Sequence, residues 1–314
     1  MLSRIAENLF WIGRYLERAE DTCRILDVHI QQMVEDPTAD EYLTALGLLG
    51  VMGIDASEAI RENRVTQKYV LAQLCYDPQT VSSIVYALGG ARESARRARE
   101  TVSVEMWEGI NTTYLEATGH RFRLIRPTSA LKQVRERCAT ISGIADQTMV
   151  HDEGWQFLRL GRSLERADMT ARLVASAALN PSSTVAWSNA LRACGAHHAF
   201  IRNYGGDEVD VTAAEFLLLD RLFPRSVVHS LGIALEALTE LDRAEVARST
   251  ITDRASLLAG RARAELEFQT ADSLLTDLPA RMELVQVACR QISEAVTKRY
   301  FEVSDVAEWQ GGQA

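Results

Sequence analysis

The chain has 314 residues, 47% hydrophobic and 25% charged, with six prolines and a formal net charge of −9. That composition supplies ample core, favours helix through its Ala, Leu, Arg and Glu, and argues against a general affinity for nucleic-acid phosphates, which needs a basic surface. No apolar run approaches the roughly 20 residues of a membrane span. Arg4 and Glu7 stand where a secretory leader keeps an apolar stretch, so a cytoplasmic protein without a membrane anchor is expected.

In chain order, the first predicted helix covers 2–34. Ile5, Leu9, Ile12, Leu16, Ala19, Cys23, Leu26, Ile30 and Met33 recur in steps of four and three, a single apolar seam. Further helices are predicted at 40–62, 65–76, 79–117 and 129–149, separated by turn chemistry at Glu35-Asp36-Pro37-Thr38 and Asp77-Pro78. Gly119 to Pro127, with His120, Arg121, Arg123 and Arg126, reads as a basic loop leading into the bridge between two halves. The second half carries predicted helices at 151–179, 184–202, 212–222, 225–246, 252–269 and 280–303, followed by a frayed, glycine-ended tail.

The halves share a text. Gly13-Arg14-Tyr15-Leu16-Glu17-Arg18-Ala19-Glu20-Asp21-Thr22-Cys23-Arg24 recurs as Gly161-Arg162-Ser163-Leu164-Glu165-Arg166-Ala167-Asp168-Met169-Thr170-Ala171-Arg172, with eight of twelve pairs identical. Shorter matches follow in the same order: Ala45-Leu46 and Gly50 with Ala190-Leu191 and Gly195, then Asp77 to Val81 with Phe223 to Val227. The expected architecture is all-α, a duplicated helical bundle of two pseudo-symmetric halves, 1–148 and 149–303, whose long antiparallel helices share one core; 304–314 is a flexible tail.

Several chemistries lack their signatures. The five cysteines are scattered and never form a CxxC pair, so they read as small core residues. No GxxxxGK[ST] loop or GxGxxG turn offers a phosphate cradle, and no cofactor is expected. A di-iron bundle needs Glu-x-x-His pairs, yet Leu26, Ala117, Thr148, Cys194, Gly195 and Ser226 stand three before the six histidines. His197-His198 has no carboxylate at ligand spacing, so no metal is expected.

The repeated polar letters are more than a core requires. Gly13, Glu17, Glu20 and Arg24, and likewise Gly161, Glu165, Asp168 and Arg172, fall on one helical line beside the seam. If the two helices meet, Gly13 and Gly161 permit close approach. Arg14, Arg24, Arg162 and Arg172 would then ring Glu17 and Glu165 as a binding site for a peptide or amino-acid carboxylate, or as an ion-pair network that docks the halves. In a third version Glu17 or Glu165 acts as a general base, its pKa raised by partial burial. Glu105, Trp107 and Asn111, with Glu108 beside them, form a second polar and aromatic constellation, better read as packing than as a substrate platform.

The opening Met1-Leu2-Ser3-Arg4-Ile5-Ala6-Glu7-Asn8-Leu9-Phe10-Trp11-Ile12-Gly13-Arg14-Tyr15-Leu16-Glu17-Arg18-Ala19-Glu20 resembles the bacterial alpha-E family. Glu105-Met106-Trp107-Glu108, Asp152 to Arg162 and Phe223-Pro224-Arg225-Ser226 extend the resemblance nearly end to end. It implies a setting: alpha-E proteins are encoded beside, or fused to, circularly permuted ATP-grasp proteins, often near a transglutaminase-like protease. Such systems are thought to make and cleave peptide or isopeptide amides. No established reaction comes with the family. The resemblance therefore implies an accessory partner of an ATP-grasp amide-ligase-like protein, with an enzyme in its own right or a protein-binding scaffold as alternatives.

Overall fold

The computed structural model describes residues 1–179, 184–205, 210–245, 253–269 and 276–302. Every regular element among them is helical. The first half contains α1 (Ser3–Glu35), α2 (Glu41–Val51), α3 (Ser57–Arg61), α4 (Gln67–Leu71, continued by a π-helical turn to Tyr76), α5 (Ile84–Arg97), α6 (Val104–Thr118), α7 (His120–Leu124) and α8 (Pro127–Thr148). The second contains α9 (Glu153–Ala178), α10 (Thr184–Ala193), α11 (His197–Tyr204), α12 (Asp210–Leu219), α13 (Val227–Glu245), α14 (Arg254–Glu267) and α15 (Leu278–Val296, continued by a π-helical turn to Phe301).

Helix starts follow local chemistry. Asp40, Ser83, Ser103, Asp152 and Asp253 each accept hydrogen bonds from first-turn amides, and Pro127 opens α8, where its missing N–H costs nothing. Those caps explain several departures from the predicted boundaries. The stretch predicted as one helix at 79–117 is two, because the chain turns after Arg97 and Ser103 caps a new start. The predicted 40–62 and 184–202 helices break at Gly53 and Gly195, both left-handed at φ +67° and +65°, where any side chain is strained. The basic loop expected between Gly119 and Pro127 holds one helical turn, pinned by buried Phe122. The expected tail, 304–314, lies outside the described residues.

In space α1, α5, α6 and α8 close into one four-helix ring, and α9, α13, α14 and α15 into another. Neighbours within a ring run antiparallel: Tyr15 meets Gly90 and Thr22 meets Ser82 across α1 and the segment of α5, while Gly232 meets Arg263 and Leu235 meets Gly260 across α13 and α14. The rings join through α1 and α9, which run in the same direction, with Leu9 beside Gly154, Gly13 against Leu158 and Arg162, and Glu17 beside Arg166. Being flanked by its own ring and by α9, α1 is buried beyond the single predicted seam. Glu17, Glu20, Asp21 and Thr22 are as enclosed as Leu16 and Cys23. All five cysteines are buried thiols. No described helix is long and apolar enough to cross a membrane.

Local contacts recur between the halves. Thr22 and Thr170 donate to the carbonyls of Ser82 and Arg225, and the adjacent Ser83 and Ser226 cap α5 and α13 while donating to the carbonyls of Asp77 and Asp220. These bonds set Asp77 to Ser83 against Asp220 to Ser226, three residues out of the register suggested by the Pro78 and Pro224 match. The turns that end α2 and α10 likewise pair Gly53, rather than Gly50, with Gly195.

Candidate functional site: a reciprocal Glu-Arg clasp and its groove

Close approach of α1 and α9 depends on two glycines. A Cβ on Gly13 would fall on the Leu158 carbonyl oxygen and 2.8 Å from the Arg162 nitrogen; one on Gly161 would fall on the Phe10 carbonyl oxygen. At such a crossing each helix presents its next turn directly to its partner's backbone, with no room for water. Whatever polar groups stand there must satisfy one another.

They do so reciprocally. Glu17 of α1 takes a two-pronged grip from Arg166 of α9, Nε and Nη2 each at 2.8 Å. Glu165 of α9 takes the same grip from Arg18 of α1, Nε at 2.6 Å and Nη2 at 3.1 Å. Each Glu is thus held by the arginine that follows the opposite Glu. Arg14 adds a further bond to Glu165, and Arg225, at the entry to α13, approaches Glu17 at 2.7 Å. Both carboxylates are 2% exposed.

Outside the clasp the halves diverge. Arg225 also binds Glu20 at 2.7 Å and Asp21, while Arg24 closes on Glu20 at 2.7 Å. Opposite, Asp168 is held by Arg172 at 2.8 Å, Met169 stands where α1 has Asp21, and Ser82 stands where the second half has Arg225. The additional pair Asp21 and Arg225 therefore breaks the local symmetry. On the Glu17 side three carboxyl groups (Glu17, Glu20, Asp21) face three guanidiniums (Arg24, Arg166, Arg225). On the Glu165 side two carboxylates (Glu165, Asp168) face three guanidiniums (Arg14, Arg18, Arg172).

Protonation follows this geometry. Burial by itself would raise the pKa of Glu165, but the charges and hydrogen bonds of Arg14 and Arg18 outweigh it and hold the carboxyl down at about 2. For Glu17, likewise pushed up by burial, Arg166 and Arg225 prevail and also bring it to about 2. The expected general base with a raised pKa is overturned: each carboxylate is ionised, sealed by arginine and out of reach of a substrate. Asp21 goes the other way. Burial lifts it to about 8 against the pull of Arg225, and the negative charges of Glu17 and Glu20 add to the rise, so at neutral pH it holds a proton where Glu17 does not. Burial likewise raises Asp168 despite Arg172.

Of the arginines expected to ring the two glutamates, Arg14 alone contacts one of them directly. Arg24 and Arg172 close on the acid four residues earlier in their own helices and lean across to the opposite half, beside Gly195 and Gly53 respectively. Arg162 pairs with Asp146 at 3.4 Å. The decisive arginines, Arg18 and Arg166, were visible among the repeated letters but fall off the helical line through Gly13, Glu17, Glu20 and Arg24. Arg225 had no repeat signal, since its counterpart is a serine. The Glu105, Trp107 and Asn111 group is not assembled into a site: Glu105 is exposed, Trp107 packs on the core, and the Asn111 amide oxygen accepts from Arg92 at 2.7 Å. Among the described residues no group of three His, Cys, Asp or Glu side chains is placed to hold a metal.

The Glu165 side opens onto a groove of about 580 Å3 between α1, α9 and α15. Trp11, Arg14, Asp168, Arg172, Arg290 and Ser293 line it, with Glu283, Glu294 and Glu302 also present; Ser293 accepts a 3.0 Å bond from Arg14. This wall offers guanidinium donors, an aromatic face and peripheral carboxylates, a set suited to a chain bearing both carboxylate and amine groups.

Uncharacterised proteins of Mycobacterium bovis and of two Mycobacterium tuberculosis strains are 26% identical over 322 residues, covering 94% of this chain and 36% of theirs. The chain thus spans about a third of the length of these relatives. No solved structure matches it. The profile of the Alpha-E family, described as a predicted alpha-helical domain with a conserved ER motif, matches residues 1–301, and the chain belongs to that family.

Proposed function

We propose that the chain is a non-catalytic helical partner of an ATP-grasp amide-ligase-like protein, and that it presents a peptide or amino-acid carboxylate in the groove beside the clasp. The family's ER motif, in this reading, is the Glu17-Arg18 and Glu165-Arg166 clasp, a structural device that fixes how two duplicated halves dock and so sets the wall of the groove. The observation that carries the reading is the groove wall itself, where the guanidiniums of Arg14, Arg172 and Arg290 stand beside Trp11 and are accompanied by the carboxyl groups of Asp168, Glu283, Glu294 and Glu302. The relatives' extra length is consistent with a domain that works joined to another.

The test purifies the full chain with the ATP-grasp protein encoded beside or fused to its relatives and measures co-elution and ATP turnover. Arg290 is exposed and makes no ion pair among the described residues, so Arg290→Glu reverses a groove charge without disturbing the clasp. Co-elution, with turnover altered by the chain and that effect diminished by Arg290→Glu, supports the proposal. Absence of co-elution together with unchanged turnover overturns it.

A further inference from the structure

The short helix α7 concentrates positive charge on a chain whose net charge is −9. No aspartate or glutamate occurs between Glu116 and Glu136, while His120, Arg121, Arg123 and Arg126 crowd one helical turn and the two residues after it. All four are exposed. The cations of the following helix are matched: Lys132 pairs with Glu136, Arg135 with Asp27 and Arg137 with Glu116. Those of the turn are not, since Arg121, Arg123 and Arg126 form no ion pair among the described residues.

The turn is also anchored. Phe122 is buried and meets Tyr76 edge-on at 5.9 Å, and the Arg123 guanidinium lies over the same Tyr76 ring at 5.2 Å. Leu124, between the arginines, is 70% exposed. Guanidiniums only two to five residues apart stand on the scale of the screening length, about 8 Å at physiological salt, and so repel one another. An anion laid across them relieves that repulsion, and a fixed backbone lowers the entropy lost when it binds.

We propose that α7 is a docking surface for a short acidic peptide segment of a partner protein, with its carboxylates spread over Arg121, Arg123 and Arg126 and one apolar side chain against Leu124. Guanidiniums are the donors best shaped for carboxylates. The small extent of the patch favours a short segment: a nucleic-acid strand or an anionic membrane carries its charge past the turn, onto a chain in which acids outnumber bases by 43 to 34. The surface shares no residue with the groove beside the clasp, and it stands whether or not the ATP-grasp role does.

The probe is the labelled peptide acetyl-Glu-Asp-Glu-Leu-Asp-Glu, titrated with the full chain by fluorescence anisotropy, with its Gln and Asn counterpart as the uncharged control. Saturable binding of the acidic peptide alone is expected, weakening at least severalfold between about 0.01 M and 0.1 M salt as the screening length falls from roughly 30 Å to 10 Å. The double variant Arg121→Glu with Arg126→Glu keeps Arg123 on Tyr76 and, because both side chains are exposed, should retain the parent's circular dichroism and Tm while binding at least tenfold more weakly. Leu124→Ser should weaken binding by about threefold and leave the salt dependence unchanged. The same titrations with phosphatidylserine-containing vesicles and with a single-stranded oligonucleotide test the other occupants. The proposal falls if the acidic peptide does not saturate, if the folded double variant binds as the parent does, or if vesicles or oligonucleotide bind more tightly than the peptide and lose that binding in the double variant. Should the double variant fail to fold, Arg121→Gln and Arg126→Gln decide, each expected to weaken binding severalfold, and unchanged affinity in both overturns the proposal.

Discussion

Replacing Glu165 by Gln removes the charge that Arg14 and Arg18 share while leaving the side-chain shape almost unchanged. Both arginines are mostly enclosed, with side chains 13% and 14% exposed, so neither regains full hydration when its partner is lost. Breaking a buried pair from one side costs roughly 3–5 kcal/mol. The pKa gives an independent figure: a carboxyl lowered from 4.5 to about 2 corresponds to about 3 kcal/mol at neutral pH. At about 2.1 cal/mol/K of unfolding entropy per residue, a chain of 314 residues loses about 5 °C in Tm for that destabilisation. Urea titration at pH 7 should show a lower midpoint at unchanged slope, with calorimetry giving the Tm. This contribution is complete above pH 4.5, declines as pH falls through about 2, and is absent in Glu165→Gln, so parent and variant converge in acid. A variant within about 1 kcal/mol of the parent at pH 7 would refute the clasp as a structural device, and a variant that kept its stability but lost a bound ligand would restore the site reading.

Three further outcomes follow from the same geometry. Gly161→Ala should lose roughly 1–3 kcal/mol in urea titration despite the better helix propensity of Ala, because its methyl meets the Phe10 carbonyl and pushes the helices apart at the clasp; a stabilised variant would contradict the close crossing. Arg225→Ser, which copies Ser82 of the first half, should destabilise by several kcal/mol, since it leaves Glu17 and Glu20 short of one countercharge and Asp21 without its hydrogen-bond donor. Adding Asp21→Met, the residue of the second half, should recover part of that loss, and strict additivity in the double-mutant cycle would show that the two are not a matched pair. Asp21 itself works against stability at neutral pH: with its pKa raised from 3.8 to about 8, its contribution is greatest below pH 3.8 and is lost as pH rises through about 8, so the stability of Asp21→Asn should depend less on pH across that window than the parent's.

Helical class was legible before folding, because apolar residues at three- and four-residue spacing, few prolines and well-placed Asp and Ser caps are local properties that need no tertiary context. The sequence also marked the crossing. Gly13 and Gly161 appear at equivalent places in two copies of one string, and a shared glycine inside a long helix is unfavourable unless something approaches closely. Which charges meet depends on how α1 packs against α9. Choosing residues on one face of one helix selected Arg24 and Arg172, whereas two parallel helices in contact bring consecutive residues of each into reach of the other, so that Arg18 and Arg166 became the partners of Glu165 and Glu17. Arg225 and Asp21 were hidden because they are the places where the halves differ. Periodicity records which face of a helix is buried. The pairing of buried charges, their protonation and the space left between helices depend on what lies opposite, which is a property of the assembled fold.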